Sequence, residues 1–418
     1  MKKAVFQLTF TAFLLSIVLL VLPLVSYAQP QQIHLGLGIK KSPSRPSPVL
    51  VTWFSAVSQG DEFLKYGVNE GKMKSVKASR TGFSGGSIFN GVMEDMKSGT
   101  RYVYKCGSDK DGWSGLYSFR SEPDTGTFRV AIIGDTQNSA NNEGFMITSR
   151  IAGLVRIYSP SLTLHMGDLV ENGSVTANWT GLLTATQDLN EISPLMPVLG
   201  NHDVQSNPGG NFQEPPQDYH LLFNLPGDEV NYSFTYRNVR FIGIYSGAAD
   251  AAAKIDQVKF KPGSPESIWL DSELTKAEND RTINWIVVYM HYPVLSVGWS
   301  NVDKWRANIQ PILERHKVDL CLAGHRHVYE RYFQMKRGVM FKNDQTNILS
   351  TGYGTIYITN GTAGGNPTAL GGTDLSSVAF TPDRTMYSFG IMDISDKSIA
   401  YSVYDQDNTL IDKFLIVK

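Results

Sequence analysis

Cysteine is scarce: Cys106 and Cys321 are the only two in 418 residues, which excludes a disulfide framework as the determinant of the fold. Neither stands at metal-ligand spacing. Cys321 lies inside the apolar run Val318–Ala323 and reads as a buried small hydrophobe. Net charge is nearly absent as well, with 38 basic against 39 acidic residues. The chain therefore has no global field to gather nucleic acid or an anionic membrane surface, and any recognition of phosphate has to be local. Repeats and low-complexity stretches are missing. The glycine-rich segment Asn360–Gly365 is not followed by Gly-Lys-Ser/Thr, so a P-loop is excluded. Past the N-terminus no apolar run is long enough to span a bilayer.

What is there begins with a targeting segment. Lys2 and Lys3 precede the almost continuously apolar stretch Phe10–Val25, and Ser26-Tyr27-Ala28 supplies small residues where a signal peptidase reads them. Residues 1–28 are expected to be a signal peptide cleaved before Gln29, giving a secreted or periplasmic protein with no membrane attachment afterwards. From 29 to 122 the pattern is all-β. Val49–Trp53 and Tyr102–Cys106 are rich in β-branched and aromatic residues, and turn residues bracket them, as in a small β-sandwich. The polar stretch Ser121–Thr127, with Pro123 and Gly126, reads as a linker. Strand and helix then alternate from 127 to 365, with strands expected at Phe128–Ile133, Ser161–Met166, Leu195–Leu199, Val239–Tyr245, Ile283–Met290 and Val318–Leu322. Helices are expected at Gly144–Tyr158, Ala177–Glu191 and Val302–His316. This is an α/β layered domain, and strands from Met386 onward, in the segment 366–418, are expected to complete a sheet.

Five short motifs follow strand candidates in order: Gly134-Asp-Thr-Gln137, Gly167-Asp-Leu169, Gly200-Asn-His-Asp203, His291-Tyr-Pro293 and Gly324-His-Arg-His327. Ligand sites in α/β sheets form at the carboxyl ends of strands, where glycine permits the tight turn. Asp135 and Asp168 offer hard carboxylate oxygens, Asn201 an amide oxygen, and His291, His325 and His327 imidazole nitrogens. This mixed set suits Zn, Mn or Fe better than Mg or Ca alone. Two such ions can bind a phosphoryl group and activate a water.

The order D…GD…GNH[DE]…H…GHxH resembles the calcineurin-like metallophosphoesterases. Gly324-His-Arg-His-Val-Tyr-Glu-Arg331 resembles the GHxHxYER of the purple acid phosphatase branch. The β-domain, closing on Asp111–Arg120, is similar to that branch's fibronectin-III-like N-terminal domain. The resemblance implies an α/β/β/α metallophosphoesterase sandwich holding two metal ions (Fe, Zn or Mn) and acting on a phosphorylated small-molecule substrate. It implies that Asp135 and His327 bind metal one, that Asp168 bridges, and that Asn201, His291 and His325 bind metal two. His202 would contact the phosphate and protonate the leaving group, with Asn201 also touching substrate. Histidine, with a pKa near neutrality, suits that task.

Three positions depart from the pattern. Glu171 stands where the purple enzymes carry the tyrosine of GDxxY, which argues against an Fe(III)–tyrosinate centre. Gln137 stands where the wider family has the histidine of DxH; by its spacing it is the favoured last ligand of metal one, with Glu171 or water as the alternatives. The additional substrate histidines of some purple enzymes are not evident after His291. Asp203 reads as structural, and His165 as a core or supporting histidine. Glu330 and Arg331 are expected to pair with each other beneath the last motif. Hydrolysis of phosphate monoesters is the leading reading. A phosphodiesterase walled by the loop 204–228, or a surface binder with a degenerate metal site, are its rivals.

Overall fold

The computed structural model describes residues 29–418 except 43, 57, 59, 205–214, 248–258, 300–301 and 342–346. The expected signal peptide and most of the tip of the 204–228 loop lie outside the described residues. In the N-terminal part, Ile33, Leu35, Val49, Val51 and Trp53 are buried at alternate positions, the period-two pattern of half-buried strands. Gln31–Leu37, Val49–Ser55, Gly86–Met93 and Ser79–Phe83 form one sheet in that order. Lys74–Lys77, Phe63–Gly67 and Arg101–Ser108 form the second, to which Gly112–Trp113 and Tyr117–Arg120 also pair. Trp53 stacks on Phe89 with centroids 5.8 Å apart and the planes within 14°, and its indole N–H donates to Glu62.

The larger part contains two seven-stranded sheets. The first runs Leu195–Pro197, Leu162–His165, Phe128–Ile133, Ser388–Ile394, Ser398–Asp405, Leu410–Val417, Ile348–Ser350. The second runs Tyr232–Tyr236, Val239–Ile244, Trp285–Met290, Leu320–Ala323, Ile356–Asn360, Tyr329–Tyr332, Val378–Phe380. The inner strands read as unbroken apolar runs because both faces are covered; every residue of Trp285–Met290 is buried. Val130, Ile132, Val287, Leu320 and Ile358 belong to the same core as Trp53 and the N-terminal strands. Outside the first sheet, Ile151 and Val155 of the helix Met146–Ile157 and Leu189 of Thr176–Asn190 pack on Ala131 and Ile133. Outside the second, the helices Pro265–Asn279 and Val302–Arg315 pack through Leu270, Leu274 and Ile309 on Ile242 and Val288. The result is the α/β/β/α order, preceded by an all-β domain.

Ser388–Ile394 pairs antiparallel with Phe128–Ile133 in the middle of the first sheet. One feature differs from the sequence reading. Glu330 and Arg331 do not pair with each other. Neighbouring strand residues point to opposite faces, so the Arg331 guanidinium binds Asp412 at 2.7 and 3.1 Å. Glu330 accepts from the Val297 N–H and the Tyr332 hydroxyl on the other side.

The N-terminal domain is tied down through its first strand, the strand Arg101–Ser108 and the linker. The Ile33 N–H donates to Gln187 Oε1, His34 Nε2 bonds the Leu222 carbonyl at 2.8 Å, and the Tyr104 hydroxyl donates to the Glu191 carbonyl at 2.7 Å. Buried Glu122 accepts from Lys40 and Ser47 on one side and from the Arg237 N–H on the other.

Candidate metal centre

The parallel strands of both sheets deliver their carboxyl ends to one cleft. Asp135 follows Phe128–Ile133, Asp168 follows Leu162–His165, Asn201 follows Leu195–Pro197, His291 follows Trp285–Met290, and His325 follows Leu320–Ala323. Turning a side chain back into the cleft right after a strand demands unusual backbone. Asp135, Asp168 and His325 all have positive φ (56°, 50° and 65°), a region costly for residues with a side chain and concentrated at functional sites. Gly200 and Gly324 make room for the carboxylates. A Cβ on Gly200 would run into Asp168 Oδ1, and one on Gly324 into Asp135 Oδ2.

The donor atoms converge. His291 Nε2 lies 3.2 Å from Asp168 Oδ2 and 3.0 Å from Asn201 Oδ1. His325 Nδ1 lies 3.0 Å from Asn201 Oδ1 and 3.3 Å from His291 Nε2. His291 Nδ1 donates to the Met166 carbonyl at 2.9 Å, so in the neutral ring the lone pair sits on Nε2 and faces the other donors. Asp168, His291 and His325 have ligand atoms within 4.8 Å of one another. On the other side, His327 Nδ1 donates to the Asn366 carbonyl at 2.8 Å and turns Nε2 toward Asp135 Oδ1, 3.4 Å away. Backbone partners of this kind orient metal-binding histidines. Gln137 is buried with its amide 3.2 Å from His327 Nε2, and its Oε1 has no hydrogen-bond partner. A buried acceptor without a donor is costly, and a cation beside Asp135 and His327 would satisfy it. Glu171, by contrast, is partly exposed and turns to His202, with its Oε1 3.5 Å from Nδ1. The donors Asp168, His291 and His325 are close enough together to hold a cation, and it is Gln137, not Glu171, that lies buried beside His327.

The electrostatics agree with a site built for positive charge. Burial opposes the charged form of His291, yet Asp168 and Asp135 outweigh it and push the imidazole up to about 9. Burial likewise works against ionised Asp168, but His291 holds that carboxyl below its usual range. Burial, aided by His291, pushes His325 well below the usual histidine value and so keeps it neutral. Burial also raises Asp135, though His327 counters it.

Supporting residues surround the donors. The Asp203 carboxylate accepts from the Gly200 and Val170 N–H groups at 2.8 and 3.1 Å and pins two motif loops together. Burial and Asp168 push its pKa up to about 7. His165 is buried beside Thr136, with Nε2 2.9 Å from Oγ1, and burial depresses its pKa to about 3. The Asn360–Gly365 loop borders the cleft, where the Gly365 N–H donates to the Asp135 carbonyl at 2.6 Å. At His202 the backbone N–H donates to Asp168 Oδ1 at 2.8 Å, and ring Nδ1 bonds the Glu171 carbonyl at 3.0 Å. Asn366 and Trp299, the latter with its ring 4.8 Å from that of His325 and tilted 51° to it, were invisible in the sequence, since neither belongs to a motif.

Residues 128–329 match the family model described as calcineurin-like phosphoesterase, and residues 30–121 match that of the purple acid phosphatase N-terminal domain. Among curated proteins, purple acid phosphatase 21 of Arabidopsis thaliana is 24% identical over 313 residues, covering 72% of this chain and 66% of that protein. Acid phosphatase type 7 of Danio rerio is 25% identical over 374 residues, covering 80% of this chain and 79% of that one. Among solved structures, purple acid phosphatase PPD1 from yellow lupin (Lupinus luteus) superposes with a TM-score of 0.79 at 18% identity, covering 93% of this chain and 74% of that chain. A structure of PhoD gives 0.64 at 12% identity, covering 92% of each. At such identities the structural likeness speaks for the fold.

Proposed function

We propose, from the premise that this chain belongs to the calcineurin-like phosphoesterases with a purple acid phosphatase N-terminal domain, hydrolases of phosphoric esters, that it hydrolyses phosphate monoesters at a dinuclear metal centre outside the cytoplasm. The observation that carries the reading is the convergence of Asp168, Asn201, His291 and His325 beside the pair Asp135 and His327, with buried Gln137 Oε1 lacking a donor. Asp135, Gln137 and His327 would hold one ion, Asn201, His291 and His325 the other, and Asp168 would bridge. Bound there, the ions supply Lewis acidity toward the phosphoryl oxygens and a water nucleophile at ordinary pH.

The chain's own residues do the rest. Asn201 and the motif backbone orient the phosphoryl group. His202 keeps Nδ1–H on the Glu171 carbonyl, so the transferable proton is the one on Nε2, given to the departing ester oxygen as general acid. Asp168 and the Glu171 carbonyl and carboxylate together raise the His202 pKa against the opposing effect of burial, which favours the protonated starting state. The location rests on the N-terminal apolar segment. Among the described residues no helix is long and apolar enough to cross a membrane.

The test is elemental analysis of the mature protein together with turnover of a chromogenic monoester and the matching diester. About two metals per chain and preference for the monoester are expected. Preference for the diester would move the assignment to phosphodiesterase. No metal and no turnover after adding Mn, Zn or Fe would leave a binding protein with a degenerate site.

A further inference from the structure

The rim of the cleft carries an aromatic platform that no motif announces. Tyr292, next to His291, is buried and fixed at both backbone ends: its N–H donates to Ser246 Oγ at 2.9 Å, and its carbonyl accepts from the Trp305 indole at 3.0 Å. Its ring sits 4.6 Å from that of His325. Trp299 packs over both, 4.8 Å from the His325 ring and 5.6 Å from Tyr292. Unlike Trp179, Trp285 and Trp305, which are fully buried, Trp299 is only half-buried. The backbone just before it is held on both sides. The Val297 N–H donates to Glu330 at 3.1 Å. Gly298, at φ 68°, lies against Gly371 so closely that a Cβ on either would strike the other's backbone. Half-buried Leu370 adjoins that contact.

A flat, preorganised indole beside His325 is where the organic half of an ester would lie once its phosphoryl group is held at Asn201 and His202. We infer that Trp299 is a specificity-determining residue that stacks a planar aromatic group of the substrate, an aryl or nucleobase moiety carried on the phosphate ester. This rests on the proposed hydrolase reading and deepens it. Aromatic rings gain by offset stacking, and base–aromatic stacking tolerates any base because each has a π face. An aliphatic alcohol offers no such face.

The metal-loaded protein, Trp299→Ala, Trp299→Phe and Trp299→Leu are compared on adenosine 5′-monophosphate, phenyl phosphate and glycerol 3-phosphate. The measured quantity is the ratio of kcat/KM for each aromatic ester to that for the glycerol ester, which cancels intrinsic reactivity between proteins. In the Ala and Leu variants the ratio is expected to fall about tenfold, mostly through KM, with Phe restoring most of it. A fall confined to one aromatic ester identifies nucleobase or simple aryl as the preferred source. A loss shared equally by all three esters, with both ratios intact, overturns the inference and makes Trp299 a prop for His325. Should the wild type turn over none of them, the hydrolase reading fails separately. Calorimetric binding of adenosine 5′-monophosphate against glycerol 3-phosphate, wild type beside Leu variant, then decides the stacking site, and equal affinities would overturn it.

Discussion

At position 202 the backbone and the side chain have separate tasks. The N–H holds Asp168 Oδ1, while the ring reaches Glu171 and, in the proposed mechanism, the leaving group. A substitution of the side chain leaves the first contact in place. His202→Ala is therefore expected to keep its metal content and to lose about 10²- to 10⁴-fold in kcat. The loss should be greatest on esters with poor leaving groups, which need the proton most. Elemental analysis beside kcat for a nitrophenyl and an alkyl ester checks this; an unaltered kcat would remove His202 from the chemistry. At this scale the sequence was most legible. Each donor sits in a short string because a strand end, a glycine and a side chain turned into the cleft are consecutive by necessity. Gln137 was legible as a departure and was favoured over Glu171 by its spacing; the burial of the one and the partial exposure of the other, which support that choice, were not. Trp299 and Asn366 were not legible, because their nearness to His325 and His327 comes from tertiary packing alone.

Single elements carry their own balance of charge. Asp319 opens the strand Leu320–Ala323, whose far end bears His325, and it accepts the Ile286 N–H at 2.9 Å. Burial pushes its pKa up to about 6, against the opposing pull of Lys418 and the Ile286 N–H. A carboxyl whose folded pKa lies above its unfolded value of about 4 contributes stability at low pH and loses it as pH rises through the folded value. Asp319→Asn keeps an acceptor for Ile286. Its melting temperature relative to wild type is thus expected to climb between pH 4 and pH 7, by the equivalent of roughly 2 kcal/mol. A relative decline over that range would mean that the Lys418 pair outweighs burial. Strands of this kind were legible as apolar runs. The helix Pro265–Asn279 was not, because its buried face is narrow and its polar residues many. Its start carried a readable signal all the same: Ser264 caps the Ser267 N–H, with Pro265 in the first turn.

On the scale of the whole chain, the N-terminal sandwich and the phosphoesterase sandwich share a core and a linker carboxylate. Glu122 is buried between Lys40, Ser47 and Arg237, and leaving such partners without their acceptor is severe. Glu122→Ala is expected to lower stability by roughly 3 kcal/mol and to split one calorimetric transition into two as the sandwiches unfold separately. A single transition at the wild-type temperature would show that the shared core alone couples them. The two-part layout was legible from the change in hydrophobic period at 121–127. The depth of this coupling was not, since contacts between residues such as Ile33 and Gln187 leave no local mark.

The strand that precedes Asp135 has as its central neighbour Ser388–Ile394, a segment made only after all of residues 134–387. During synthesis, then, Phe128–Ile133 waits with one edge unpaired until Ser388–Ile394 has emerged. The sheet that sets the first carboxylate cannot close early. Closure of that sheet, and with it the setting of Asp135, is a step that joins segments far apart in the order of manufacture.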